Sequence, residues 1–233
     1  MLALHEPQFS GNEWKYLKDC LDSGWVSSVG KYVDLFEEKL AEYTGAKYVI
    51  ACANGTAALH TSLLLAGVKT GDEVIVPSLS FIATANVILY CNAIPVFIDS
   101  EIKHFNIDVK KLEKFLNKKC YFDGEETINL DTGRVVRAIL PAHILGYPCD
   151  IIKICELAKK YKIKVIEDAA ESMGVFLNNR HLATFGDIGC LSFNGNKIIT
   201  TGGGGAILTN DLELAKQAKY LTQQAKAPHP FEY

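Results

Sequence analysis

The sequence predicts a doubly wound α/β fold on a mostly parallel sheet of about seven strands, with helices on both faces. Three observations carry that expectation. Seven short β-branched runs recur along the chain, apolar on both alternating faces, as strands inside a parallel sheet are. Amphipathic stretches with an apolar period of three to four residues separate them. The composition, 48% hydrophobic and 22% charged over 233 residues, suits a globular core rather than a disordered or fibrous chain.

Val33, Phe36, Leu40 and Tyr43 mark a helix ahead of the first strand, at 48–53. The segment Asn54-Gly55-Thr56-Ala57-Ala58-Leu59 then leads into an apolar helix. A second strand, 73–76, runs through Pro77-Ser-Leu-Ser-Phe81 into another helix, and the third strand is 94–98. Asp108 caps the next helix. The stretch 121–135, with Asp123-Gly124 and Thr132-Gly133 as turn signals, reads as a hairpin excursion before the fourth strand at 136–141. Asp150 caps a helix in which Ile151, Ile154, Cys155, Leu157 and Ala158 share a face. Lys159, Lys160 and Lys162 lie towards its end, where cations suit the dipole. The fifth strand is 164–167. A second small hairpin, 177–182, turns at Asn178-Asn179, and strands at 188–193 and 206–209 precede a last helix over 211–225. The tail from Ala227 has a loop composition.

Lys plus Arg number 24 against 27 Asp plus Glu, a net charge of −3. That balance argues against nucleic acid or an anionic membrane surface as partner. No apolar run approaches the ~18 residues that span a bilayer, and the N-terminus is too polar for a signal peptide. Seven cysteines without a CxxC pair read as reduced, packed thiols in the cytoplasm, with no metal cluster.

In open α/β sheets ligands bind beyond the carboxyl ends of the strands, and four such segments are unusual. Gly55-Thr56-Ala57 at a helix start offers free N–H groups and a partial positive charge, either a phosphate seat or a plain capped turn. Phe81 could stack on a planar ring or belong to the core. Glu167 and Asp168 close an apolar strand, with Glu171 one turn later; they read equally as N-caps of a helix or as a site. Lys197 sits among Asn, Gly, Ser and Thr before four glycines, where an amine can lose its proton and act as a nucleophile. There is no GxGxxG and no P-loop, which counts against a nicotinamide enzyme. Taken together, a phosphate seat, a ring stacker, a strand-end carboxylate and a hydroxyl, Ser192, five residues before a lysine are what pyridoxal 5′-phosphate requires.

These residues also resemble a known family. Ser23-Gly-Trp-Val-Ser-Ser28, Asn54-Gly-Thr-Ala-Ala-Leu59, Gly71-Asp-Glu-Val-Ile-Val-Pro77, Ile166-Glu-Asp-Ala-Ala170 and Ser192-Phe-Asn-Gly-Asn-Lys197 are similar to the motifs of DegT/StrS-type nucleotide-sugar aminotransferases, pyridoxal-phosphate enzymes of fold type I. The resemblance runs from about His5 to the last residue. It implies Lys197 as the Schiff-base lysine and Asp168 as partner of the pyridine nitrogen. Gly55, Thr56 and Ala57, with Ser192, would seat the phosphate, and Phe81 would stack on the ring. Glu171 falls near the cofactor's phenolic oxygen, where many members have Gln or His. Trp25, Ser27 and Ser28 match a segment lining the sugar-nucleotide pocket.

The detail most resembles the branch that aminates UDP-linked 4-keto-6-deoxy-N-acetylhexosamines for surface glycans, with glutamate as donor. Members that dehydrate instead carry His in place of the lysine. The resemblance further implies a homodimer, and residues 1–233 as the large domain without the smaller C-terminal domain and its Gly-Tyr-Asn-Tyr-Arg-like segment. The alternative expectation is a folded, dimerising fragment without turnover.

Overall fold

A computed structural model describes residues 6–225. Its centre is a seven-stranded sheet in the order β1 (Tyr48–Cys52), β11 (Gly205–Thr209), β10 (Ile188–Ser192), β7 (Lys164–Asp168), β6 (Val136–Ile139), β2 (Glu73–Pro77) and β3 (Ile94–Ile98). β11 is antiparallel to both its neighbours, and the remaining pairs are parallel. The strands fall within two residues of the expected bounds.

Consecutive strand residues serve opposite cores, which is why the runs are apolar throughout. Val74, Val76, Ile166 and Ile207 pack on one face with Leu59 and Leu63 of α3 (Gly55–Leu65), Val87 and Ile88 of α4 (Ile82–Tyr90), and Ala215 and Ala218 of α7 (Leu212–Thr222). Ile75, Ile139 and Val165 pack on the other with Leu112 and Leu116 of α5 (Val109–Lys119) and Ile151, Ile154 and Leu157 of α6 (Ile151–Tyr161). Leu40 and Phe36 of α2 (Lys31–Thr44) cover Val49, Leu191 and Leu208. Asp108, Asp150 and Asp211 each accept backbone N–H groups at the helix starts they cap.

Both hairpins form. β4 (Cys120–Phe122) pairs with β5 (Thr127–Asn129), and buried Glu73 anchors the excursion by accepting Asn129 Nδ2 and Thr132 Oγ1, each at 2.7 Å. β8 (Phe176–Leu177) and β9 (Arg180–His181) are joined by Asn178 and Asn179, both left-handed, as a two-residue hairpin turn demands. One helix was not foreseen: α1 (Glu13–Ser23) buries no residue and shows Trp14, Leu17 and Leu21 to solvent. The 227–233 tail lies outside the described residues. Among those described, no helix is long and apolar enough to cross a membrane and no group of three or more His, Cys, Asp or Glu could hold a metal ion.

Gly189, in the middle of β10, has no room for a side chain: a Cβ there would collide with the Ala183 carbonyl. Gly189→Ala should therefore lower the unfolding free energy by roughly 3 kcal/mol, read as a fall in the urea midpoint at unchanged slope.

Candidate active site

Because β1, β2, β6, β7 and β10 run parallel, their carboxyl ends meet at one edge of the sheet, where a cleft of about 330 Å³ opens. Asn54, Gly55 and Thr56 line it from the β1–α3 turn, Ser80 and Phe81 from the start of α4, His143 from the end of β6, Asp168 and Glu171 from β7 and its turn, and Ser192 and Lys197 from β10 onward.

At one end, Asn54 caps α3, its Oδ1 accepting the Ala57 N–H at 2.7 Å and its carbonyl the Ala58 N–H. The first N–H groups of the helix, those of Gly55 and Thr56, lie ahead of the intrahelical ladder and face the cleft with the positive end of the dipole. Ala57, expected beside them, does not line the cleft, and its N–H is already held by Asn54. This end of the cleft depends on close approach. A Cβ at Gly55 would come within 2.8 Å of Ser192 Cβ, and one at Gly205 would strike the Asn54 backbone, so Gly205 lets β11 pass behind the turn.

The two acids that end β7 part ways, as neighbours on a strand must. Neither caps a helix, since β7 is followed by turns. Glu167 is wholly buried, and its two oxygens accept the N–H groups of Ala183, Phe185 and Gly186 at 3.1, 2.7 and 2.7 Å and His143 Nε2 at 3.1 Å. His143 Nδ1 accepts the Cys149 N–H, so the ring proton sits on Nε2 and points at Glu167. Asp168 has fewer partners: Thr84 Oγ1 donates to Oδ2 at 2.7 Å and the Ala170 N–H to Oδ1 at 3.2 Å. Burial pushes its carboxyl above the ordinary carboxylate range, against the opposing pull of the Thr84 hydroxyl, the Ala170 N–H and the Lys197 charge.

Lys197 is mostly shielded, its side chain 16% exposed, and its Nζ lies 3.3 Å from Glu171 Oε1. The other Glu171 oxygen accepts the Leu145 N–H at 2.9 Å. Phe81 is the N-cap of α4, the residue 75% exposed at the cleft mouth. The structure thus gathers Lys197, Asp168, Glu171, Gly55, Thr56, Ser192 and Phe81 into one cleft. Trp25, Ser27 and Ser28 are not brought to it: all three are exposed, and the Trp25 indole N–H donates to the Val29 carbonyl at 2.6 Å. Thr84 was not among the expected site residues, whereas Glu167, expected as either an N-cap or a site residue, does not line the cleft. A hydroxyl one turn inside an apolar helix was the only sign of the first.

The sequence matches the DegT/DnrJ/EryC1/StrS aminotransferase family over residues 7–232. It is 42% identical over 228 residues to the GDP-perosamine synthase of Caulobacter vibrioides, covering 98% of this chain and 57% of that protein. It is 41% identical over 227 residues to the putative pyridoxal phosphate-dependent aminotransferase EpsN of Bacillus subtilis, covering 97% of this chain and 56% of that one. Among solved structures, the Helicobacter pylori aminotransferase PseC, involved in the biosynthesis of pseudoaminic acid, superposes with a TM-score of 0.85 at 29% identity, covering 98% of this chain and 57% of that one. The chain belongs to the DegT/DnrJ/EryC1/StrS aminotransferase family, and it spans a little over half the length of these relatives.

A carboxyl whose folded pKa is raised weakens the fold as pH climbs from its unfolded value, about 3.9, towards the folded one, because the unfolded chain gives up its proton first. Asp168→Asn removes that penalty. Without cofactor, the variant should be at least as stable as the parent at pH 7 and lose its advantage towards pH 3, as followed by urea unfolding at several pH values.

Proposed function

We propose that residues 1–233 form the cofactor-binding large domain of an aminotransferase. It carries the amino group of glutamate to the C4 keto carbon of a nucleotide-linked 6-deoxy-4-keto sugar, with pyridoxal 5′-phosphate as cofactor. The observation that carries the reading is the meeting, in one cleft, of a shielded lysine, a buried carboxylate short of partners and an open helix N-terminus.

The residues fit the cofactor. Asp168 is buried with only a hydroxyl and one amide on it, so a protonated ring nitrogen would supply the cation it lacks. Gly55 lets Ser192 pack directly against the start of α3, so that a hydroxyl and the first N–H groups of the helix stand side by side for a phosphate, and Phe81 offers an unburied ring face. When bound, pyridoxal phosphate supplies an electron sink for breaking the donor's Cα–H bond. Lys197 would anchor it covalently and, once released, take and return protons at Nζ, and Glu171 holds that Nζ in place. Thr56 and Gly55 would bind the phosphate, and Asp168 would orient the ring and keep its nitrogen charged.

The motifs pointed to a UDP-linked N-acetylhexosamine. The GDP-perosamine synthases among the relatives, 40–42% identical, favour a GDP-linked sugar instead. A second copy of the chain as partner is supported by the exposed apolar residues of α1. Seven free cysteines support a reducing, cytoplasmic setting.

The test is the visible spectrum of the purified chain given pyridoxal phosphate, before and after borohydride. A yellow band that borohydride fixes to Lys197, absent in Lys197→Ala, is expected; a folded chain without the band sinks the reading. Gly55→Ala should weaken cofactor binding at least roughly tenfold, since the added methyl would drive Ser192 away from the start of α3. Turnover assays with GDP- and UDP-linked keto sugars then decide the nucleotide.

A further inference from the structure

Thr84 is fully buried in α4, a helix otherwise rich in apolar residues, one turn beyond Phe81. A hydroxyl buried among aliphatic neighbours is costly unless it is bonded, and this one is bonded twice. Its Oγ1 donates to Asp168 Oδ2, and Ser80 Oγ lies 2.7 Å from the same atom. A hydroxyl has one proton to give. With the Thr84 proton committed to the carboxylate, Ser80 must donate to Thr84, so the three groups form a chain with one direction, from the half-buried rim of the cleft inward.

We propose that Thr84 is a positioning residue for the cofactor's ring nitrogen: it acts through Asp168, fixing Oδ2 so that the carboxylate stays ionised and its remaining lone pairs face the cleft, with Ser80 setting the direction of that bond. The proposal rests on the reading of Asp168 as the ring's partner. A valine would fill the same space, so what threonine adds is the proton. The same helix start that offers Phe81 at the cleft mouth supplies this hydroxyl three residues later, so ring and carboxylate are registered against one rigid element. The titratable groups facing Asp168 are His143 after β6, Lys197 after β10 and the Cys190 thiol directly across on β10; Glu167 points to the opposite face. None of these donates a hydrogen bond to the carboxylate, which leaves Thr84 and the Ala170 amide to hold it.

The test compares Thr84→Val, Thr84→Ser, Ser80→Ala and Asp168→Asn in the 233-residue chain. One readout is the Asp168 carboxyl titration by 13C NMR without cofactor, its resonance assigned by its loss in Asp168→Asn. The other is the dissociation constant for pyridoxal phosphate by equilibrium dialysis. Thr84→Val should raise the Asp168 midpoint by about one pH unit and weaken binding roughly tenfold. Thr84→Ser should restore both, and Ser80→Ala should move both in the valine direction by less. An unmoved midpoint in Thr84→Val, or a serine variant as impaired as the valine one, overturns the proposal while the Asp168 reading stands. Undiminished binding by Asp168→Asn overturns that reading, and the positioning role falls with it. Should the valine variant not fold, Ser80→Ala alone decides in the same way.

Discussion

A carboxylate taken out of water is costly unless N–H or O–H groups replace the lost solvent, and β7 ends in two of them. The site is organised around how that cost is met. Glu167 meets it in full, with three backbone amides of the 183–186 turn and the His143 ring around its two oxygens. Asp168 does not. Because Cβ directions alternate along a strand, anchoring Glu167 on one face fixes Asp168 on the other, aimed into the cleft. The fully bonded acid thereby orients its neighbour, and the deficit left on Asp168 is what a cationic ring nitrogen would relieve. Cofactor binding and stability are then linked: the group that weakens the empty fold near neutral pH is the one that a bound ligand would repay.

The two ends of the cleft are held in register by the sheet itself. β10 lies one strand from β7 and, through β11, one further from β1, so the α3 N-terminus, Ser192 and Asp168 sit on successive parallel strand ends. What closes the remaining distance is the absence of side chains. Gly55 lets the β1–α3 turn touch Ser192, and Gly205 lets β11 pass behind Asn54. The last of the four glycines after Lys197 is therefore a packing requirement.

Much of this was legible from residue order. Buried parallel strands must be apolar on both faces, and that demand wrote seven unmistakable runs; the Asp caps and the Asn178-Asn179 turn follow equally local rules. The site segments were legible because strand ends in such a sheet converge, so glycine, acid and lysine at those ends had to meet. What escaped was non-local. α1 buries nothing in this chain, so its apolar residues carried no core signal. Thr84 differs from its aliphatic neighbours by one oxygen, and its partner is 84 residues away. The sequence could not say that Asn54 would claim the Ala57 N–H, since an Asn before a helix serves as readily as a ligand contact as it does as a cap.

Glu171 shows how such a site keeps its geometry against strain. Leu145 adopts a left-handed conformation, φ 52°, which costs a non-glycine residue roughly 1 kcal/mol or more. That conformation persists because the turn is held from both sides. Asn106 accepts the Ile144 N–H and donates to the Tyr147 carbonyl, while the Leu145 N–H is taken by Glu171. The carboxylate so tethered has one oxygen left, and it faces Lys197 Nζ. The backbone strain at Leu145 and the orientation of Lys197 are thus settled by the same side chain. Because a carboxylate accepts on both oxygens at once, this one side chain ties the 144–147 turn to the lysine and sets where Nζ stands in the cleft.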